Sequence, residues 1–227
     1  MSISANLAQI KERIRAAAEK ADRDPASVSL VAVSKTRPAA DIVAAFQAGQ
    51  TVFGENYIQE LVPKLAEVRE PVQWHVIGHL QSNKVKYFAG QVAMIHSVDR
   101  ISLAQEIDRQ WGKLGRVCDV LIQVNISGEA TKSGTTETGA MQLVRVCALL
   151  PNIRVKGLMT MPPFFDAPEA ARPYFAELRR LSEAVAAERI AGVEMSELSM
   201  GMSGDFEAAI QEGATLVRIG TAIFGER

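Results

Sequence analysis

The sequence predicts an α/β protein folded as a (β/α)8 TIM barrel, and three observations carry the prediction. Eight short apolar runs alternate with amphipathic stretches along the 227 residues. The loops after several of these runs hold glycines, hydroxyls and charges, as the loops at the carboxyl end of a barrel do. No linker, low-complexity run or charge block divides the chain, so residues 1–227 read as a single domain. The alternative is an open doubly wound sheet; eight βα units over this length favour closure.

The elements follow in order. Ile3, Leu7, Ile10 and Ile14 make an apolar stripe, which predicts an extra N-terminal helix ended by Asp22 to Pro25. Val28 to Lys35 is the first strand, and Pro38 suits the first position of the next helix, which stops at Gly49. Thr51–Gly54 is strand two and Tyr57–Val68 a helix. Gln73–Gly78 is strand three, Ser82–Phe88 a helix, and Ala93–Ser97 strand four. Leu103, Ile107 and Trp111 stripe another helix; Asp119–Asn125, nearly all apolar, is a strand covered on both faces. A polar loop, Ser127–Gly134, leads to a helix over Thr138–Leu150 and strand six at Arg154–Met159. Pro162 and Pro163 stiffen the loop that follows. Tyr174, Leu178, Leu181 and Val185 mark a long helix. Glu197–Met200, helical Phe206–Gln211 and Thr215–Ile219 complete the count.

Composition narrows the function. The chain is 48% hydrophobic with a formal net charge of -1, which argues against a dedicated nucleic-acid or membrane-surface protein and leaves room only for a local basic patch. Cys118 and Cys147 sit in apolar runs without metal or redox spacing and read as buried free thiols, which suits a reducing, cytoplasmic setting. The N-terminus has no signal-peptide core, and no apolar run approaches a membrane span. His75, His79 and His96 are too loosely spaced for a metal motif.

The chemistry converges on Lys35. It shares strand parity with Val33, Val31 and Ser29, and if that set faces the lumen the lysine stands at the carboxyl-end rim. A partly desolvated lysine there can form a Schiff base; a solvated strand-end lysine is the alternative. After strands seven and eight come Ser199-Met200-Gly201-Met202-Ser203-Gly204-Asp205 and Arg218-Ile219-Gly220-Thr221-Ala222. Barrels commonly hold phosphate between these two loops, and Gly220 and Thr221 open a helical turn with unpaired amides. Helix capping, by Ser203 for instance, is the plainer role. Arg218 shares parity with Leu216 and points inward, either to an internal carboxylate such as Glu55 or to a ring nitrogen. Lysine, phosphate cradle and inward arginine together describe a pyridoxal phosphate site.

Val33-Ser34-Lys35-Thr36, Phe53 to Glu60, Trp74 to Lys84, Leu198 to Ser203 and Val217 to Gly225 look like the pyridoxal phosphate homeostasis protein family, in the family's order from strand one to the C-terminus. The resemblance implies the barrel of fold-type III enzymes, similar to the N-terminal domain of alanine racemase. It implies pyridoxal 5′-phosphate (PLP) held covalently on Lys35. Ser199, Ser203, Gly220 and Thr221 would lie around the phosphate, Arg218 would face the pyridine nitrogen, and Asn56 and His75 would lie near the ring. His79 departs from the family, many of whose members have Pro there. The family implies a carrier and buffer of the vitamer with no established turnover, a monomer or weak dimer that serves apo PLP-dependent enzymes. No catalytic and no metal-ligating residue is expected.

Residue chemistry agrees. An arginine opposite the ring nitrogen leaves it unprotonated and the ring a poorer electron sink. Racemisation needs an acid/base on each face of the substrate carbon. Alanine racemases supply the second from another domain, which this chain is not expected to have; of Tyr57, Tyr87 and Tyr174, only Tyr57 follows a strand near the site. Lys132, in the loop after strand five, is a solvated lysine or a guide for phosphate. A small amino-acid racemase and a cofactor-free Schiff-base lyase remain the alternatives.

Overall fold

The computed structural model describes residues 2–129 and 132–226. Eight parallel strands close in chain order: β1 (Ser29–Val33), β2 (Val52–Glu55), β3 (Gln73–Val76), β4 (Met94–Val98), β5 (Cys118–Gln123), β6 (Ile153–Met159), β7 (Val193–Ser199) and β8 (Leu216–Ile219). β8 pairs with both β7 and β1, which leaves no sheet edge.

Among the described residues, eight α-helices alternate with or flank the strands: α1 (Ile3–Lys20), α2 (Ala39–Gln47), α3 (Ile58–Glu67), α4 (Ile101–Gly112), α5 (Glu137–Cys147), α6 (Arg172–Ala187), α7 (Phe206–Gln211) and α8 (Thr221–Phe224). α1 is the extra N-terminal helix. Ser2 caps it by accepting from the Ala5 amide, and it buries Leu7, Ile10 and Ile14. The Asn6 side chain donates to the Ile223 carbonyl at 2.9 Å, tying α1 to α8.

The pleat divides the core in two. Val31, Ile77, Met94, Leu121, Met159 and Leu216 fill the lumen, with Val33 and Val52 against them. Leu30, Ala32, Val217 and Ile219 instead join the layer between strands and helices. The first strand therefore sends Val31 and Val33 inward, the parity on which Lys35 was placed.

Three boundaries differ from the sequence reading for physical reasons. Pro38 is the N-cap of α2, not its first residue, with an extended ψ of 161°. Ser82–Tyr87 is a 3-10 helix, not an α-helix. β7 starts four residues early, at Val193, because Val193 pairs with Val155 across an irregularity in β6. In its first half Val193 and Met195 are only half-buried and alternate with exposed Glu194 and Ser196, so no continuous apolar run marks it. Both cysteines are buried free thiols. No helix among the described residues is long and apolar enough to cross a membrane.

Candidate functional site

The strands point their carboxyl ends at a cavity of about 360 Å³. Lys35, Asn56, Ser203, Arg218, Gly220 and Thr221 all line it. Its apolar wall comes from Val33, Ile77, Met161, Phe164, Phe165 and Met202. Phe165 stacks on Tyr174 at 5.6 Å, while Phe164 is 84% exposed at the mouth.

Lys35 begins the turn after β1. Among the described residues its side chain pairs with no carboxylate, and it reaches the cavity half-buried. The next residue, Thr36, has φ 64°, in the left-handed region that a β-branched residue seldom enters. Such a conformation costs about 1–3 kcal/mol and persists only where its surroundings enforce it. They do so through α3. Glu60 accepts from the Thr36 amide at 2.6 Å, and Lys64 donates to the Ser34 carbonyl at 2.8 Å. Lys64 also meets Glu55 at 2.7 Å, and the Ser34 hydroxyl donates to the same oxygen at 2.6 Å. Burial raises the Glu55 pKa, opposed by its bonds from Lys64 and Ser34. Glu55 thus pairs with Lys64, and not with Arg218 as one reading of the sequence had it.

The opposite wall is rich in donors without acceptors. Among the described residues, the amides of Ser203, Gly204 and Thr221 have no backbone partner. Ser203 is not a helix cap, because Asp205 occupies that position before α7. Gly201 makes the approach of this loop possible. Its φ is 90°, and a Cβ there would lie 2.6 Å from the Ala209 Cβ on α7. Gly78 does the same for Asn56, whose carbonyl oxygen would lie 2.3 Å from an added Cβ. Arg37 holds the end of the chain over the rim through the Gly225 and Glu226 carbonyls.

Beneath the cavity floor runs a buried polar chain. Arg218 donates to Ser199 Oγ at 2.5 Å and to the Thr160 carbonyl at 2.8 Å. Ser199 Oγ lies 2.9 Å from His96 Nδ1, and His96 Nε2 lies 2.9 Å from His75 Nδ1. A guanidinium only donates. The hydroxyl that accepts from it gives its own proton to His96, which carries its proton on Nε2 and passes a hydrogen bond to His75. Donation therefore runs one way, from Arg218 to His75, with tautomers assigned from the bonds. Burial lowers His75 to about 4, against the pull of Asp119. Burial, then the charges of His75 and Arg218, holds His96 well below its usual value. Burial also lowers Arg218 to about 10, partly offset by Asp205, so it stays a cation at neutral pH.

Six of the eight residues singled out in the sequence share the cavity wall. His75 and Ser199 do not; they lie in the layer below, 5% and 0% exposed. Sequence reasoning missed His96, Thr160, Glu60 and Lys64. His96 shares strand parity with Met94, an inward residue, and that signal was available. Nothing local marks Thr160, whose carbonyl is its contribution. His79 stands at the mouth, its Nδ1 3.7 Å from Asp99. Tyr57 is 52% exposed and does not line the cavity. Lys132 lies 4.0 Å from Glu129, and residues 130 and 131 of its loop are outside the described residues.

Comparison with known proteins places this geometry. Residues 5–227 match the family model for the alanine racemase N-terminal domain. The chain is 46% identical over 228 residues to a pyridoxal phosphate homeostasis protein of Aquifex aeolicus, covering 100% of this chain and 99% of the relative. A crystal structure of an unknown protein from Bifidobacterium adolescentis matches with a TM-score of 0.93 at 38% identity, covering 98% of this chain and 94% of that one. PipY of Synechococcus elongatus, solved with PLP bound, matches with a TM-score of 0.86 at 34% identity, covering 99% of this chain and 100% of that one. A closed eight-stranded barrel matched over nearly its whole length by these relatives has one assignment: the chain belongs to the pyridoxal phosphate homeostasis protein family, within the alanine racemase N-terminal-domain fold.

Proposed function

We propose that this chain binds PLP, attaches it covalently to Lys35, and acts in the cytoplasm as a carrier and buffer that passes the vitamer to apo PLP-dependent enzymes. One observation carries the reading: one cavity sets an amine that, among the described residues, has no carboxylate partner across from backbone amides that have no backbone acceptor. That donor set suits a phosphorylated aldehyde. Ser203, Gly204, Gly220 and Thr221 would hold the phosphate through charge-assisted hydrogen bonds. The apolar wall of Ile77, Met161 and Met202 would cover the ring and exclude water. The family membership and the PLP-bound relative support the same ligand.

Bound there, PLP supplies an electrophilic aldehyde carbon. Lys35 would hold that carbon through its side-chain amine, with the aldehyde oxygen leaving as water. Arg218, fixed by Ser199 and Thr160, would meet the ring nitrogen as a permanent donor and keep it unprotonated. A nitrogen in that state gives a weak electron sink, which suits holding the vitamer more than turning over amino acids. No tyrosine, the residue type alanine racemases use on the second face, is among the described residues that line the cavity.

Adding PLP to the purified chain tests this. The expected result is a visible absorbance band that Lys35→Ala abolishes while the melting temperature holds, because Lys35 lies outside the packed lumen. The loaded protein should then restore activity to an apo-enzyme, with negligible racemisation of a panel of amino acids. No restoration, where free PLP restores full activity, would remove the carrier reading.

A further inference from the structure

The turn that carries Lys35 is gripped on both sides by one helix. Glu60 and Lys64 stand one turn apart on α3. Glu60 takes the amide of the residue after Lys35, and Lys64 takes the carbonyl of the residue before it. Lys64 is 6% exposed and Glu55 0%, so their ion pair is buried. A buried pair of this kind seldom stabilises a fold more than apolar residues of the same volume would. What apolar residues would not supply is direction. The pair fixes Ser34 through both its carbonyl and its hydroxyl, and Ser34 is joined to Lys35. Left-handed Thr36 is an independent sign: the turn is held in a conformation that its own sequence disfavours.

We propose that Glu60 and Lys64 are positioning residues for Lys35: they hold the Ser34–Thr36 turn in its left-handed form so that the amine enters the cavity at the angle needed to attach PLP. The proposal rests on the reading of Lys35 given above and goes beyond it by naming what sets the attachment rate. Phosphate binding, on the far wall, is not part of the device. Attachment and phosphate binding should therefore separate in variants of α3.

The test uses two probes on the full chain. PLP reports attachment through the rate at which the visible band appears. Pyridoxine 5′-phosphate, an alcohol in place of the aldehyde, cannot react with Lys35 and reports binding alone by calorimetry. Glu60→Ala is expected to slow attachment by roughly tenfold or more, as small misplacements of reacting groups do, while pyridoxine 5′-phosphate affinity stays within about twofold. Glu60→Gln keeps an acceptor for the Thr36 amide and is expected to restore the rate. The double variant Glu55→Gln/Lys64→Met removes both buried charges together, leaving neither unpaired, and is expected to slow attachment in the same selective way. Unchanged rates in Glu60→Ala and in the double variant would overturn the proposal. So would a loss of rate matched by an equal loss of pyridoxine 5′-phosphate affinity, or a failure of Glu60→Ala to fold, since each would make the contacts merely structural. If the unaltered protein forms no band with PLP, it is the reading of Lys35 that fails, and the clamp with it.

Discussion

Replacing Ser199 with alanine removes one oxygen and leaves two buried groups each short of a bond. Arg218 keeps only the Thr160 carbonyl, and His96 Nδ1 loses the hydroxyl that served it. A hydrogen bond to a charged group contributes about 1.5–3 kcal/mol, and a buried polar atom left unsatisfied costs about 1–3 kcal/mol. Ser199, His96 and Arg218 are all nearly inaccessible, so water offers little relief. The expected loss is about 3–5 kcal/mol, a large share of the roughly 5–15 kcal/mol that stabilises a typical domain. In a chain of this size that lowers the melting temperature by about 10 °C or more. Urea unfolding at pH 7.5, comparing midpoints at constant slope, measures it. Adding His96→Leu removes the acceptor that Ser199→Ala strands. The double variant should therefore cost less than the sum of the single ones by about 1 kcal/mol or more. A loss under about 1 kcal/mol for Ser199→Ala, or full additivity with His96→Leu, would refute the one-way chain from Arg218 to His75.

Two further outcomes follow from the same network and from the loop above it. A histidine held below its ordinary value contributes its full stability above pH 6.5 and loses it as pH falls toward about 4, because the unfolded chain takes protons that the buried ring refuses. Urea midpoints should fall across that window at up to about 1.4 kcal/mol per pH unit for each buried ring, and His75→Gln should flatten the slope. Gly201→Ala places a Cβ against Ala209 at a φ of 90°. It should cost about 1–3 kcal/mol in urea unfolding and weaken binding of pyridoxine 5′-phosphate, since Ser203 and Gly204 follow in the same loop.

The sequence alone sorted the strand residues into two alternating sets and pointed to the carboxyl ends of the strands for the site. Val31, Val33, Leu216 and Arg218 share one parity and alternate with residues of the outer layer; because both faces are buried, only the closed barrel shows that this set points inward. The two loops rich in glycine and hydroxyls were legible because their composition serves a local need, close backbone approach and free amides. Strand β7 was half hidden, because Val193 and Met195 are separated by exposed Glu194 and Ser196 and form no apolar run.

Only the tertiary structure could decide partners. Glu55 and Arg218 both point into buried space from strand ends, and the sequence allowed them to meet; closure of the barrel gives Glu55 to Lys64 and Arg218 to Ser199. His75 and Ser199 bear groups that suit a ligand, yet neither lines the cavity: Ser199 accepts from Arg218 and His75 meets His96. The grip of α3 on the Lys35 turn joins residues more than twenty positions apart, with no periodic pattern to announce it. Periodicity records which solvent or layer a side chain faces, because that depends on its own strand or helix. A hydrogen-bond partner depends on where a second element comes to rest, and that is fixed only when the whole barrel has closed.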